Sequence, residues 1–469
     1  MRNVSLAGPR SRTRARRWDV VVLGSALPGL IAAIRLAMGR LRVLIVEEEA
    51  AARLPVAVRE PFLLSGAAQG GVLDACLRAL TLPLIDRRRL QPHPIAYQVI
   101  LPEARVDLGA PARTAEEIVS WGLAKPETAR ALLRGLAEAA AAERDALLES
   151  PIVRAGRLGG LGRGAGRPSR HARGLPSELR NPPEALVPLL EAQVRALANV
   201  ATPNVPPEAR ARLLGAALEG GTAWESPEDS LLGLLHRRFR SLHGELRTVP
   251  NRFELVSIGE LAGVAPVLSD EVWCGRALLI NAPVGPLTAW LADSEGGPPD
   301  FLPEPPPLRR RGWVALRVPA DALPEGMASR LVRVRDPSAP LEGANLVRLA
   351  VHPERHGRDV VLVASFLLPP GVEADEELER EVAEVVLDLM PFARERVRLL
   401  APLPRPRWDD DLALEDPAPG TGWPGDVELR LVSRPPVYRL AREAVGVLGV
   451  EGDCLLGWRA GEAILADLH

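Results

Sequence analysis

The chain has 469 residues, of which 47% are hydrophobic and 25% charged, and its net charge is −2. These values are typical of a folded protein of two or three domains, and they give the molecule as a whole no electrostatic case for binding nucleic acid. Three widely separated cysteines (Cys76, Cys274 and Cys454) exclude a disulfide framework and a cysteine metal cluster, and they favour a reducing compartment.

The N-terminal stretch is rich in arginine and precedes an apolar segment. We predict that residues 1–17 form a disordered basic tail. Residues 20–38 resemble a signal peptide or a membrane anchor, but Gly24, Pro28 and Arg35 interrupt them, whereas a spanning helix needs about 20 nearly uncharged residues. We therefore expect a cytoplasmic protein.

The clearest pattern in the sequence is a strand–helix–strand unit at residues 18–49. Two continuous apolar runs, 20–23 and 43–46, are typical of strands buried on both faces. A glycine turn at 24–29 separates the first run from apolar residues at helical spacing. A helix that begins at such a turn offers free N–H groups and its dipole to a pyrophosphate, and Glu47 can accept the ribose hydroxyls.

This dinucleotide pattern is incomplete, because Ala26 stands where the middle of three glycines is expected. That glycine normally lets the backbone approach the pyrophosphate, and a methyl group there weakens the approach without excluding it. The alternative interpretation is a strand–helix–strand unit that binds nothing.

Periodicity and turn signals predict the remaining elements in chain order. A serine–proline–acid start signal at Ser226 predicts a helix that runs to about residue 242. The other predicted elements are a hairpin at 96–108, helices at 72–82, 126–148, 184–198, 207–217 and 374–389, strands at 278–281, 313–318, 331–334, 345–351, 360–366 and 437–443, and a C-terminal helix within 446–465.

Three further segments contain clusters of charged residues or histidines. Residues 151–183 alternate glycine with arginine, but they contain no aromatic residue to stack a base, so a flexible loop is favoured. His352 and His356 flank a proline and lack a third ligand, so no metal site is expected. The acidic run at residues 409–411 is typical of a solvated surface.

Taken together, the motifs resemble those of the flavin-dependent amine oxidase and phytoene desaturase superfamily, over about 450 residues. Four segments carry the resemblance: DVVVLGSALPGLIAAIRLA at 19–37, SPEDSLLGLLHRRFRSLHGELR at 226–247, ALLINAPVGPL at 277–287, and LAREAVGVLGVEGDCLLGWRAGEAI at 440–464. In that family the first segment binds FAD, and the last one lies against the flavin.

The resemblance implies a set of FAD-binding residues but no catalytic residue. Arg442 stands where the family has glycine before the acid, and Arg53 is the nearby candidate for an arginine that the family places after its ribose-binding acid. With Ala26, these departures leave open a fold that has loosened or lost its flavin. The implied cofactor-binding residues are Gly24, Ser25, Ala26, Pro28, Gly29, Glu47, Glu48, Arg53, Glu443, Gly449, Val450 and Glu451.

We predict an α/β fold with a Rossmann-like FAD/NAD(P)-binding domain around a central parallel sheet, and an α+β substrate domain with an antiparallel sheet. Continuous apolar strands suit a sheet covered on both faces, and mixed strands suit a sheet with one open face. The first domain is expected from residues 18–115, 222–300 and 405–469, and the second from 116–221 and 301–404. Glu443 should then lie near the turn at 24–29.

Two functional hypotheses follow. The first is an FAD-dependent oxidoreductase that acts on an apolar or amine small molecule, with the flavin supplying the redox chemistry. The alternative is a non-catalytic binding protein on the same fold, with a degenerate or lost FAD site. The expected partner is a hydrophobic small molecule and not nucleic acid, while peripheral contact with a membrane and the oligomeric state are left open.

Overall fold

The structure is a computed structural model. It describes residues 14–149, 152–154, 177–198, 205, 207–226, 229–250, 252–267, 269–293, 297–305, 308–354, 358–369, 371–400, 402–409, 414–415 and 427–469. The first 13 residues of the predicted basic tail, most of the predicted glycine–arginine loop, and His356 lie outside the described residues.

The elements alternate between helix and strand in the first half of the chain. The helices are α1 (Leu27–Met38), α2 (Glu49–Arg53), α3 (Val56–Arg59), α4 (Val72–Ala79), α5 (Leu84–Arg87), α6 (Pro111–Ser120), α7 (Pro126–Glu149), α8 (Ser177–Arg180), α9 (Val187–Leu197), α10 (Pro207–Ala216), α11 (Leu231–Ser241), α12 (Val284–Ala292), α13 (Glu376–Leu387) and α14 (Val450–Leu468). The strands are β1 (Arg14–Leu23), β2 (Val43–Glu48), β3 (Leu90–His93), β4 (Ile95–Ile100), β5 (Arg105–Gly109), β6 (Val153–Arg154), β7 (Gly221–Trp224), β8 (Glu245–Val249), β9 (Phe253–Ile258), β10 (Leu261–Pro266), β11 (Glu271–Ile280), β12 (Leu308–Arg309), β13 (Arg311–Pro319), β14 (Arg330–Val334), β15 (Leu346–Pro353), β16 (Asp359–Leu367), β17 (Arg398–Leu399), β18 (Leu414–Glu415), β19 (Val427–Glu428), β20 (Arg430–Ser433) and β21 (Pro436–Arg439).

The first sheet has the strand order β20-β21-β11-β1-β2-β8, and all neighbours from β21 to β8 run parallel. Val20, Val21, Val22 and Leu23 in β1 are fully buried, as the continuous apolar run predicts for a sheet covered on both faces. Helices α1 and α14 lie on one face of this sheet. The carboxyl ends of β1, β2, β11 and β21 meet at one edge, where ligands bind in open α/β sheets.

Strand β1 begins earlier than the sequence pattern indicates. Arg14 to Arg17 pair in parallel with Glu271 to Cys274 of β11, so these four residues are not part of a disordered tail. The side chain of Arg16 also forms an ion pair with Glu271 at 2.5 Å. Backbone pairing with a buried neighbour therefore outweighs the local charge of this segment.

The second sheet has the order β17-β13-β16-β15-β14-β4-β5 and is antiparallel apart from the β14–β4 pair. Helix α13 covers one face, where Val382 and Val386 pack with Leu316 and Leu349. The structure thus confirms the predicted fold class, a parallel-sheet α/β domain joined to an antiparallel sheet. The predicted hairpin β4–β5 belongs to this second sheet, whereas the sequence analysis assigned it to the first domain.

Helix α11 begins five residues after the predicted start signal. Its N-cap is Ser230, whose hydroxyl accepts a hydrogen bond from the Gly233 N–H at 3.0 Å. The carboxylate of Glu60 accepts the N–H of Leu231 at 2.9 Å. A distant side chain and a local cap together satisfy the free donors of the first turn, so Ser226 is not the cap.

Glycines bring α1 and α14 into close contact. A Cβ atom at Gly457 would lie 2.4 Å from the carbonyl oxygen of Pro28 and 2.8 Å from Cβ of Ile31. Helices can approach this closely only where one of them lacks a side chain.

In the described part of the chain, no helix is long and apolar enough to cross a membrane.

We predict that Gly457→Ala destabilises the protein by about 1–2 kcal/mol. Alanine gains about 1 kcal/mol in helix propensity, but overpacking a rigid backbone contact typically costs about 1–3 kcal/mol or more. Urea unfolding measures the difference. Ala466→Leu, an addition on the exposed side of the same helix, is the control and should change little. A Gly457→Ala variant as stable as the wild type would contradict the packing.

Candidate functional site

The glycine turn lies at the carboxyl end of β1, as the sequence predicts. Gly24 has φ +104°, and a Cβ atom there would lie 2.8 Å from the backbone nitrogen of Ala282. A Cβ atom at Gly29 would lie 2.4 Å from the amide of Asn281, whose Nδ2 donates to the carbonyls of Gly24 and Ala26 at 3.2 and 3.1 Å. These two glycines therefore allow the end of β11 to pack directly against the turn.

The N-terminus of α1 keeps the features of an anion site. Ala26 is the N-cap residue, Pro28 lies in the first turn, and that turn contains no acidic residue. Ser25 is fully buried at the turn. Free N–H groups and the helix dipole favour a negative charge here.

The anion at this position is a carboxylate of the chain itself. Asp409 accepts the backbone N–H of Ser25 at 2.9 Å and the Ser25 hydroxyl at 2.8 Å, and it accepts the N–H of Glu48 at 3.3 Å. Its side chain is buried at 3% exposure. The sequence analysis expected a solvated acidic run here and was wrong for Asp409, because contacts 384 positions away decide its environment.

Glu48 and Asp409 bind each other's backbone: Asp409 accepts the N–H of Glu48, and the carboxylate of Glu48 accepts N–H groups of the segment that contains Asp409. It accepts the backbone N–H groups of Arg407 at 2.8 Å, Trp408 at 2.9 Å and Asp409 at 3.1 Å. The resemblance implies that Glu47 and Glu48 bind the cofactor, but in the structure the carboxylate of Glu48 binds backbone N–H groups of the chain. We call residues Arg407–Asp409 the plug.

Trp408 anchors the plug in an apolar pocket. Its side chain is fully buried and meets the ring of Phe253 edge-on, with centroids 4.9 Å apart. Val46, Leu255 and Ala282 belong to the same cluster. The plug thus places an aromatic ring and a carboxyl group, on consecutive residues, beside the carboxyl ends of β1 and β2.

Burial sets the charge state of Asp409. Burial, with the nearby Glu47 carboxylate, raises its pKa to about 7 against the opposing influence of the Arg59 guanidinium and the hydrogen bonds from Ser25. Burial also raises the pKa of Glu47, against the influence of Arg59. The site thus contains three buried carboxyl groups, those of Glu47, Glu48 and Asp409, beside the guanidinium of Arg59.

Arg59 is the arginine of this site, and Arg53 is not. Arg59 lies 3.8 Å from Glu47 and donates to the Ser25 hydroxyl at 3.0 Å and the Ser25 carbonyl at 3.3 Å. Arg53 pairs with Glu49 on the surface. Arg59 could not be predicted from the sequence because it ends helix α3, one helix beyond Arg53, and no spacing rule predicts which arginine turns inwards.

The C-terminal motif is folded by internal ion pairs. Glu443 pairs with Arg439 rather than with the glycine turn, and Arg442 binds Asp453 at 3.0 and 2.8 Å. Glu443 was predicted to lie near residues 24–29. Both follow strands of the first sheet at the same edge, but the carboxylate of Glu443 pairs within its own segment. Arginine at the glycine position serves here as the partner of Asp453.

The start of α14 lies beside a cavity. Gly449 has φ +57°, and a Cβ atom there would lie 2.4 Å from the carbonyl oxygen of Leu197. Val450 and Glu451 border this cavity, which lies between the second sheet and helices α10 and α14. Glu451 is buried and accepts a hydrogen bond from Arg212 Nε at 2.8 Å.

That cavity is small, with a volume of about 100 Å³. Pockets for ligands of drug size span about 300–1,000 Å³. In this conformation the turn does not fit FAD, because Asp409 accepts both the N–H and the hydroxyl of Ser25 and Trp408 fills the adjacent apolar pocket. This cavity is also smaller than a flavin ring system needs. Among the described residues, no cluster of three or more His, Cys, Asp or Glu side chains could hold a metal ion.

Comparison with known proteins identifies the fold. No protein-family model and no curated protein matches the chain. Wild-type putrescine oxidase bound to putrescine is similar in structure, with a TM-score of 0.56, 12% identity, and coverage of 97% of this chain and 100% of that one. Cyclohexylamine oxidase from Brevibacterium oxydans gives a TM-score of 0.53 at 16% identity, with 96% and 99% covered. An oxidoreductase from Methanosarcina mazei gives 0.53 at 15%, with 94% and 99% covered. The chain therefore shares the fold of putrescine oxidase and cyclohexylamine oxidase, and identities this low establish the fold alone.

The buried Asp409 carboxyl predicts a pH dependence of stability. Its pKa is raised to about 7 in the folded state, so the folded state holds a proton that the unfolded state releases near pH 4, and stability falls as the pH rises. Relative to Asp409→Asn, the wild type should lose roughly 3 kcal/mol between pH 5 and 8. Urea unfolding of both proteins across this range measures the difference. Parallel profiles would show that Asp409 does not titrate in this way.

Proposed function

We propose that this protein is a binding protein without redox chemistry, built on the amine oxidase fold, with its dinucleotide cleft closed by the plug. The observation that carries the proposal is the Asp409 carboxylate on the N–H of Ser25, where the pyrophosphate of a dinucleotide would bind. A phosphate of a dinucleotide and the carboxylate of Asp409 cannot both accept the hydrogen bond of the Ser25 N–H.

The energy needed to open the cleft supports this conclusion. Exposing a fully buried tryptophan such as Trp408 uncovers about 150–250 Å², which costs about 4–6 kcal/mol at about 25 cal/mol per Å². The hydrogen bonds of Asp409 and Glu48 add roughly 1 kcal/mol each before water replaces them. An opening cost of about 5 kcal/mol weakens the apparent affinity for a dinucleotide roughly 10³- to 10⁴-fold.

The other end of the cofactor path supports the same proposal. Arg442 and Asp453 bind each other, and the buried Arg212–Glu451 pair lines a cavity of about 100 Å³. Two separate parts of the cofactor path are thus closed by contacts within the chain.

The second candidate function is an FAD-dependent oxidoreductase acting on an apolar or amine small molecule. Its support is the fold, which matches putrescine oxidase over nearly the full length of both chains. This function requires the plug to leave the cleft before the cofactor enters.

The flavin content of the purified protein separates the two functions. We expect a colourless protein that carries far less than one FAD per chain and takes up none after incubation with excess FAD and gel filtration, because the plug holds the donors. Absorbance in the flavin bands, before and after denaturation, gives the result. A yellow protein with about one FAD per chain would overturn the binding-protein proposal.

Opening the plug should create affinity for adenine nucleotides. We expect Trp408→Gly/Asp409→Gly to bind ADP or FAD in calorimetric titration, because it frees both the pocket beside Phe253 and the N–H of Ser25. Pro404→Gly/Arg405→Gly loosens the same segment outside the plug and is the matched control.

Restoring the family's glycines at positions 26 and 442 tests whether the substitutions there are enough to explain a loss of FAD binding. Ala26→Gly/Arg442→Gly should not gain binding while the plug is intact, since neither change removes the Asp409 carboxylate. Nucleotide binding by this variant, or by the loosened control, would show that the plug is not the obstacle.

A further inference from the structure

Two buried arginines project from the same face of the second sheet. Arg348 in β15 lies opposite Ser365 in β16, which lies opposite Trp313 in β13. Arg311 is two positions from Trp313 and therefore shares that face. Arg311 and Arg348 are 3% and 8% exposed, and both line the cavity beside the start of α14.

Their hydrogen bonds go to neutral acceptors. Arg311 donates to the carbonyls of Ala198 at 3.2 Å and Arg195 at 3.5 Å. Arg348 donates to the Ser365 hydroxyl and the Ala196 carbonyl, both at 3.0 Å. Within the described ranges, no carboxylate lies within ion-pair distance of either guanidinium, so the two positive charges are uncompensated.

The electrostatic environment agrees with this geometry. Burial lowers the pKa of Arg311 well below its ordinary value, and the charges of Arg348 and Arg195 lower it further. Burial lowers the pKa of Arg348 to about 10. Arg348 remains protonated at neutral pH, so its charge needs a partner.

The other charges that line the cavity already have partners. Arg212 binds Glu451 and Arg442 binds Asp453. The cavity is lined by five arginines and three carboxylates: Arg59, Arg212, Arg311, Arg348 and Arg442 with Glu60, Glu451 and Asp453. Buried charges in proteins are normally paired or hold a ligand, because an unpaired one costs several kcal/mol. The excess of positive charge lies on the sheet.

We propose that this cavity binds a small oxyanion, a carboxylate or a phosphate, between Arg311 and Arg348. A volume of about 100 Å³ suits an ion of a few heavy atoms, and the forked guanidinium matches both oxyanions in geometry. Phe62 lies under the Arg348 guanidinium, 5.5 Å from ring centroid to Cζ, and fixes its plane. This inference rests on the proposed flavin-free function, because a flavin ring would fill the same space.

The test uses the full-length protein and two probes, acetate and inorganic phosphate, with chloride at equal ionic strength as the reference. Calorimetric titration should show one saturable site per chain for at least one probe, and the thermal midpoint should rise with its concentration. Acetate without phosphate assigns a carboxylate, and phosphate without acetate assigns a phosphate. A protein that responds to neither probe overturns the proposal.

Arg311→Met and Arg348→Met distinguish an anion site from a structural role. Each should weaken binding roughly 10- to 100-fold, as expected for the loss of a charge-assisted hydrogen-bond partner. Replacing an unpaired buried charge by an apolar side chain of similar length should leave the anion-free thermal midpoint unchanged or higher. Arg333→Met, on the opposite face of the sheet in β14, is the control and should keep the anion response.

The two proposals fail in different ways. If both methionine variants lose stability and retain full anion affinity, the arginines only brace the end of α9 and the oxyanion site is wrong. A flavin-free protein without an anion response overturns this inference alone. FAD bound in the same sample overturns the proposed function and this inference with it.

Discussion

The structure depends on a reciprocal exchange of hydrogen bonds between two carboxylates and two stretches of backbone. Asp409 accepts the N–H groups of Ser25 and Glu48, while Glu48 accepts the N–H groups of the plug. The exchange joins segments more than 350 positions apart, and it satisfies donors that burial would otherwise leave unpaired at a cost of about 1–3 kcal/mol each. One of these donors is the N–H of Ser25, in the turn directly before α1, and the N-terminus of a helix favours a bound anion.

Burial divides the charges of the interior into two classes. Arg212 with Glu451, and Arg442 with Asp453, are ion pairs within the chain, and losing either partner would leave a buried charge exposed to a low dielectric. Arg311 and Arg348 have no such partner among the described residues. The first class balances charge within the chain, whereas the second leaves two buried positive charges on the second sheet.

Local pattern was sufficient to predict the fold but not the site. The buried strands around Val20 and Leu278 and the hairpin at β4–β5 follow from hydrophobic periodicity and turns, which act over a few residues. Ser226 was predicted as a helix cap but Ser230 and the distant Glu60 satisfy those donors. Asp409 looked like part of a solvated acidic run, and only its pairing with a turn near the other end of the chain makes it a buried ligand. A tryptophan directly before the acid was the available signal, since a large apolar side chain beside a charged run indicates an anchored segment rather than a solvated one.

The departures from the flavin pattern explain one another. A pyrophosphate needs the middle glycine because the backbone must approach it closely, whereas Asp409 bonds to Ser25 and Glu48 and leaves the Ala26 methyl group undisturbed. Arg442 in place of glycine is stabilised by Asp453, and the cavity beside it is too small for a ring system. At both positions the structure has a contact within the chain. Agreement between distant parts of a sequence favours one folded state, and in our proposal that state is the closed cleft.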